Sequence, residues 1–232
     1  MEHYSSCQLT RSGDKLAAIA GLASVGPMRS DHVQSNSYHF GIWEDGIHTS
    51  LLWMDQGARE NRLVKRLERA PTWSWASVDS EIKFYPGFRG DTVLRTDIDL
   101  ISFNYRGRGQ QTDRLLGGSC SLRLRAVVAE GLEVPTVDRG KFLPFTPDQP
   151  RYLLVLYQQS NRVGWASPDE TWIDGTKLFC IRIASKGSGD RYRCYVLITK
   201  QDEEGEYVRL GMGCIFRTEI FDGLTPRVVS IR

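Results

Sequence analysis

Apolar and polar residues recur along this chain with two different periods. Near the amino terminus, within 12–23, Leu16, Ile19, Ala20 and Ala23 fall at i, i+3, i+4 and i+7, the spacing of one helical face. Ser12 or Asp14 supplies a first-turn acceptor, and Asp14 adds negative charge at the positive helix end. Gly26 and Pro27 end the run. The stripe is half alanine, which suits close packing on a larger body more than independent stability.

Downstream the period becomes two. In 121–128, Leu122, Leu124, Ala126 and Val128 point one way and Arg123 and Arg125 the other, the pattern of a half-buried strand. Residues 152–157 are apolar on both faces and read as an internal strand. Three further runs, 177–184, 192–199 and 206–216, are separated by turn sequences at 185–189 and 201–205 and predict a meander. Gly211 and Gly213 inside the last run imply a bulge or a close backbone crossing. Shorter strands are expected at 82–85 and 100–105, and loops at 106–114, 135–150 and Ser167–Pro168.

These periods predict a mainly β fold with short helices (α+β). Its body, residues 71–232, is an antiparallel β-sandwich or barrel-like structure, and a helical, aromatic-rich arm, residues 1–70, packs on it. Within the arm, 38–54 is dense in Tyr, Phe, Trp, Leu and Ile, which places Trp43 and Trp53 in the core. The stretch 59–69 is either a short helix or an irregular connector, with Arg59, Arg62, Lys65, Arg66 and Arg69 mostly in solvent. At 70–78 the sequence is APTWSWASV. An extended backbone there puts Trp73, Trp75 and Ser77 on one face, with Pro71 at the strand entry. Small Ser74 and Ala76 leave room behind, so Trp73 and Trp75 are expected to form a structural seam between arm and body.

Composition narrows the function classes. With 30 basic and 28 acidic residues the net charge is +2, which gives nucleic acid or an anionic membrane no electrostatic pull. No apolar run approaches the length of a membrane span, about 20 residues, and MEHYSSCQLT lacks the apolar core of a signal peptide. The five cysteines form no CxxC pair, which points to a reducing, cytoplasmic setting. Cys180 and Cys194 face one another if their hairpin turns about Gly187, as two apolar fillers, with a cross-strand disulfide as the alternative. All four histidines lie in the first 48 residues without zinc spacing, and His39 and His48 read as ordinary polar or partly buried residues. There is no GxSxG elbow, no serine or cysteine in the setting of a general base and no phosphate loop. No catalytic residue, metal ligand or cofactor is therefore assigned. The remaining candidates for a ligand or partner surface are Trp165, Asp169 and Trp172, where flat rings beside a carboxylate suit a sugar.

One group of motifs resembles a known family. Tyr4-Ser5, Cys7, Leu9-Thr10, then Asp14-Lys15-Leu16, Ala18-Ile19 and Gly21-Leu22-Ala23 come first. Tyr38, Gly41-Ile42-Trp43, Leu51-Leu52-Trp53 and the run from Arg69 through Ala70-Pro71-Thr72-Trp73-Ser74-Trp75-Ala76-Ser77-Val78 to Asp79 follow. In order and spacing these are similar to the region downstream of the HET domain in fungal heterokaryon-incompatibility proteins. Beyond Asp79 only Tyr207, Arg209, Leu210 and Gly211 match its usual tail. The HET domain itself is not found in the chain, so none of its functional residues carries over. The resemblance implies a non-catalytic accessory or protein-interaction module, acting on a HET-type domain or by self-association and marked by exposed aromatic patches. A glycan-binding β module and an enzyme of another class are the alternative expectations.

Overall fold

The computed structural model describes residues 2–5, 7, 14–25, 38–56, 66–85, 94–106, 119–134, 154–169 and 176–232, with backbone alone at 22–25. Helix α1 spans Glu2–Ser5 and helix α2 spans Asp14–Val25. On α2 the periodic Leu16, Ile19 and Ala20 are buried and Ala17 and Ala18 are exposed. Lys15, beside Leu16, is also buried.

Strands β1 (Tyr38–His39) and β2 (Ile42–Trp43) form a hairpin. Its two turn residues, Phe40 and Gly41, both have positive φ, 48° and 88°. That is the combination whose twist matches paired strands. Helix α3 (Ile47–Ser50) leads into β3 (Trp53–Asp55), which pairs with β4 (Ile82–Phe84).

The body is one sheet of ten strands among the described residues. In chain order these are β5 (Arg95–Thr96), β6 (Asp99–Arg106), β7 (Ser119–Ala126), β8 (Val128–Leu132) and β9 (Leu154–Gln158). Then come β10 (Asn161–Pro168), β11 (Leu178–Lys186), β12 (Arg193–Gln201), β13 (Tyr207–Ile215) and β14 (Arg227–Ile231). One path runs β5-β11-β12-β13-β14-β7-β6; β10 and β9 branch from β13, and β8 from β11. Every pairing is antiparallel except the Tyr207–Ile231 contact of β13 with β14. Backbone hydrogen bonds of 2.9 Å in both directions join Glu133 to Tyr157, but the strand ladders do not close into a barrel. A β-rich, sandwich-like α+β body is what forms.

Burial on both faces explains why several strands read as continuous apolar runs. Along β12, Cys194, Val196 and Ile198 enter one core with Leu156, Val163 and Ile215. Tyr195 and Leu197 enter the other, which they share with Leu16, Trp53, Trp73 and Trp75 of the amino-terminal segments.

Three local expectations are overturned. Ser167–Pro168, read as a loop, is the end of strand β10 and pairs with Met212 and Gly211 of β13. Trp73–Ser77 is not extended, because Trp75–Ser77 forms a 3₁₀ turn. Ser74 caps it by accepting the Ala76 N–H at 3.0 Å, and the Ser77 hydroxyl donates to the Ser74 carbonyl at 2.7 Å. Serine side chains thus offer the backbone partners that a ladder would otherwise provide. The thiols of Cys180 and Cys194 do not face one another either. The hairpin closes at Lys186–Arg193 through a 3₁₀ turn at Gly189–Arg191, so Cys180 lies opposite Ile198 and Cys194 opposite Ser185. Both thiols are free.

At Gly211 and Gly213 the crossing is close. Here β13 pairs with β10 on one edge and β12 on the other. A Cβ at Gly211 would stand 2.3 Å from the Ser167 carbonyl oxygen, and one at Gly213 would stand 2.6 Å from that of Trp165. The β12–β13 ladder also shifts register between Ile198 and Thr199, which leaves Leu210 as the extra residue.

Candidate functional site

Every residue of the Trp-Ser-Trp segment is buried, with Trp73 and Trp75 at 0% exposure. The Trp75 indole N–H donates to the Gly41 carbonyl at 2.9 Å, and that of Trp73 donates to Cys120 at 3.3 Å. Trp53 donates to the Trp73 carbonyl at 3.0 Å, and the Ser74 hydroxyl donates to the Phe40 carbonyl. The segment therefore ties hairpin β1–β2, strand β3 and strand β7 together, with each buried N–H satisfied.

A charged cluster lies behind it. The Arg209 side chain on β13 is fully buried, with its guanidinium carbon 3.6 Å from the centre of the Trp53 ring. Its Nε donates to Asp169 Oδ2 at 2.7 Å, and its two terminal nitrogens reach the Leu51 and Trp53 carbonyls at 2.7 and 2.6 Å. A further bond of 3.3 Å runs to Asp169 Oδ1. Arg66 approaches the same carboxylate at 2.9 Å and also donates to the Thr72 and Arg209 carbonyls. Burial lowers the pKa of Arg209, and the Asp169 carboxylate opposes that shift. The planar fork of arginine suits this role, since it serves a carboxylate and two carbonyls at once.

A second cluster fixes α2. Lys15 Nζ donates to the Ser5 carbonyl at 3.1 Å and the Val78 carbonyl at 3.4 Å, and lies 3.8 Å from Asp79. Arg69 pairs with Asp79 at 2.6 Å and donates to the carbonyls of Ala76 and Val78. Burial pulls the Lys15 pKa down, the Arg69 charge adds to that shift, and Asp79 counters it. Arg66 and Arg69 are thus turned inward, with side chains 13% and 10% exposed, and neither joins a solvated face. Arg59, Arg62 and Lys65 lie outside the described residues.

The residues read as a ligand surface are placed differently. Trp165 is 6% exposed and belongs to the core, where Tyr85 meets its ring edge-on. The Asp169 carboxylate is 0% exposed and is held by two arginines. Neither side chain presents a stacking ring or a free acid to a sugar. Trp172 lies outside the described residues. Asp169 thus serves the cluster behind the tryptophans.

Sequence reading missed Arg209 and Lys15. Each carries a faint signal: a lone cation within an apolar run, as in Val208-Arg209-Leu210, or beside the apolar stripe of a helix. His39, read as an ordinary polar or partly buried residue, is 2% exposed and bonded on both ring nitrogens, to Glu44 and Tyr105.

The outward side of β6, β7 and β14 forms a different kind of surface. Opposite one another across these strands stand Asp99, Arg125 and Val228 in one row, and Ser102, Arg123 and Ser230 in the next. A bulge between Leu100 and Ser102 adds Ile101 beside the second row. Among the described residues the exposed large hydrophobic side chains are Ile101, Leu224 and Val228, all aliphatic, so the expected aromatic patch is not found there. Strand β6 pairs only with β7 among the described residues. Arg106 at its end pairs with Glu206 at 2.7 Å.

Among the described residues no three His, Cys, Asp or Glu side chains gather as a metal site, and no helix is long and apolar enough to cross a membrane. No family model, no curated protein and no solved structure matches this chain.

Proposed function

We propose that this chain is a protein-interaction module of the heterokaryon-incompatibility type, which docks a HET-type domain on the outward side of β6, β7 and β14. The observation that carries the reading is the pair Ile101 and Val228, 42% and 48% exposed, flanking the Arg123 and Arg125 side of β7. Exposed aliphatic residues among arginines on a sheet face are the composition of a modest protein contact. The resemblance supplies the partner class. It is supported by the way its segments meet: Ser5, Lys15, Gly41, Leu51, Trp53 and 69–79 all bond within one buried seam.

Calorimetric titration of the purified chain with a recombinant HET domain tests the reading. Saturable binding is expected, weakened about tenfold or more by Ile101→Asp with Val228→Asp, while the melting temperature holds. Absence of binding, or binding indifferent to both changes, would overturn it. Sedimentation of the chain alone tests the competing occupant, a second copy of itself.

A further inference from the structure

Behind the same strand, on the side that faces hairpin β1–β2, lies a chain of three titratable groups. His39 on β1 stacks on Phe103 of β6, with ring centres 3.7 Å apart and planes within 14° of parallel. Its Nε2 lies 2.6 Å from Glu44 Oε1, and its Nδ1 is in hydrogen-bond contact with the Tyr105 hydroxyl. An ionised carboxylate accepts only, so Nε2 carries the proton and donates to Glu44. In the neutral imidazole Nδ1 is then the acceptor, and the Tyr105 O–H donates to it. The imidazole is buried, its side chain 3% exposed, while the Glu44 side chain is 40% exposed and Tyr105 is half-buried near the end of β6.

We propose that Glu44, His39 and Tyr105 form a relay that makes Tyr105 a nucleophilic hydroxyl able to accept an acyl group from an activated ester or thioester. The order of parts is that of an activated nucleophile: hydroxyl, base within hydrogen-bond reach, and a third group that orients the base. In the first step the phenolic proton passes to His39 Nδ1 as the oxygen attacks the acyl carbonyl carbon. The imidazolium that forms carries its charge beside the Glu44 carboxylate. In the second step the tetrahedral adduct collapses, and the bond from the carbonyl carbon to the leaving oxygen or sulfur breaks. The leaving group takes the proton from Nδ1 and departs as the free alcohol or thiol. The products are O-acyl-Tyr105 and neutral His39, so charge and protons balance without an oxidant or reductant. Tyr105 is the catalytic nucleophile and His39 the base. Glu44 acts through His39 and is a positioning residue. This inference does not depend on the proposed docking role.

The test uses the full chain and p-nitrophenyl acetate, with acetylation located by mass spectrometry of peptides. Tyr105 is expected to label about tenfold or more faster than Tyr192, the low end of general-base effects. His39→Gln should bring its rate down to that of Tyr192, and Tyr105→Phe should remove the labelled peptide. Glu44→Gln is expected to shift the pH at which labelling reaches half its maximum, a change that a merely structural contact would not produce. Labelling of Tyr105 within about twofold of Tyr192 would overturn the proposal. So would a folded His39→Gln chain that labels at the original rate. Should His39→Gln fail to fold, Glu44→Gln decides: an unmoved pH profile refutes the relay.

Discussion

Four hydrogen bonds leave the Arg209 guanidinium, two to the Asp169 carboxylate and two to carbonyls of the amino-terminal segments. Removing that side chain leaves the buried Asp169 carboxylate to Arg66 alone and two buried carbonyls without their guanidinium, the kind of loss that costs most among single substitutions. Arg209→Met is expected to destabilise the chain by about 3–5 kcal/mol in urea unfolding. Arg106→Met breaks an ion pair whose arginine side chain is 50% exposed, and should cost less than about 1 kcal/mol. Equal losses would mean that the buried cluster is not what holds the seam. At this scale the sequence was partly legible. Indole rings at 73 and 75 announce large buried area by their type alone. The partners of a buried charge do not, because Leu51 and Asp169 are 158 and 40 residues from Arg209.

Elements were read better than their pairings. The helix 14–25 and strands β7, β11, β12 and β13 follow from period and turn residues, since a face must bury whatever its partner. Register does not follow, because bulges at 182–184, 198–199 and 100–102 each shift the ladder by a residue. The thiols of β11 and β12 miss one another for a related reason: the hairpin closes at Lys186–Arg193, beyond Gly187, which moves Cys180 opposite Ile198. The 3₁₀ turn at Trp75–Ser77 was hidden for another reason: two serine hydroxyls override the extended preference of the flanking aromatics. Hairpin β1–β2 sits on that turn, with Gly41 at φ 88° and its Cβ position 2.5 Å from Trp75 Nε1. Gly205 has a similar φ of 78° with no atom within 4 Å. Gly205→Ala should therefore cost only the left-handed penalty, about 1–2 kcal/mol. Gly41→Ala should cost clearly more, because the indole must also move and break its bond to the Gly41 carbonyl. Chemical denaturation of both variants compares them, and a Gly41→Ala no worse than Gly205→Ala would refute the docking of hairpin on turn.

For the molecule as a whole, the buried acids of high pKa set the alkaline limit. Burial pushes Cys194 up to about 11, Cys214 to about 12 and Tyr85 to about 12, from ordinary values of 9.0, 9.0 and 10.0. Cys180, Tyr38 and Tyr195 move the same way for the same reason. In each case the folded chain keeps a proton that the unfolded chain gives up sooner. That contribution is complete below the ordinary value and is lost as pH rises through the folded one. Lys15 and Arg209 work in the opposite sense, because their folded pKa values are lowered, but the thiols and phenols outnumber them. The melting temperature should accordingly fall as pH climbs from about 9 towards 12, followed by circular dichroism; a level curve would contradict the burial of these thiols and phenols.

The separation of Arg209 from the carbonyls it binds also matters while the chain is being made. Leu51 and Trp53 leave the ribosome 158 and 156 residues ahead of their partner. At about 5–20 residues per second the wait is on the order of 8–30 s. Throughout it the indole of Trp53 has no guanidinium over it, and the nascent hairpin has no finished sheet to rest on. Recombinant yield should therefore respond to translation speed more than to the stability of the finished fold.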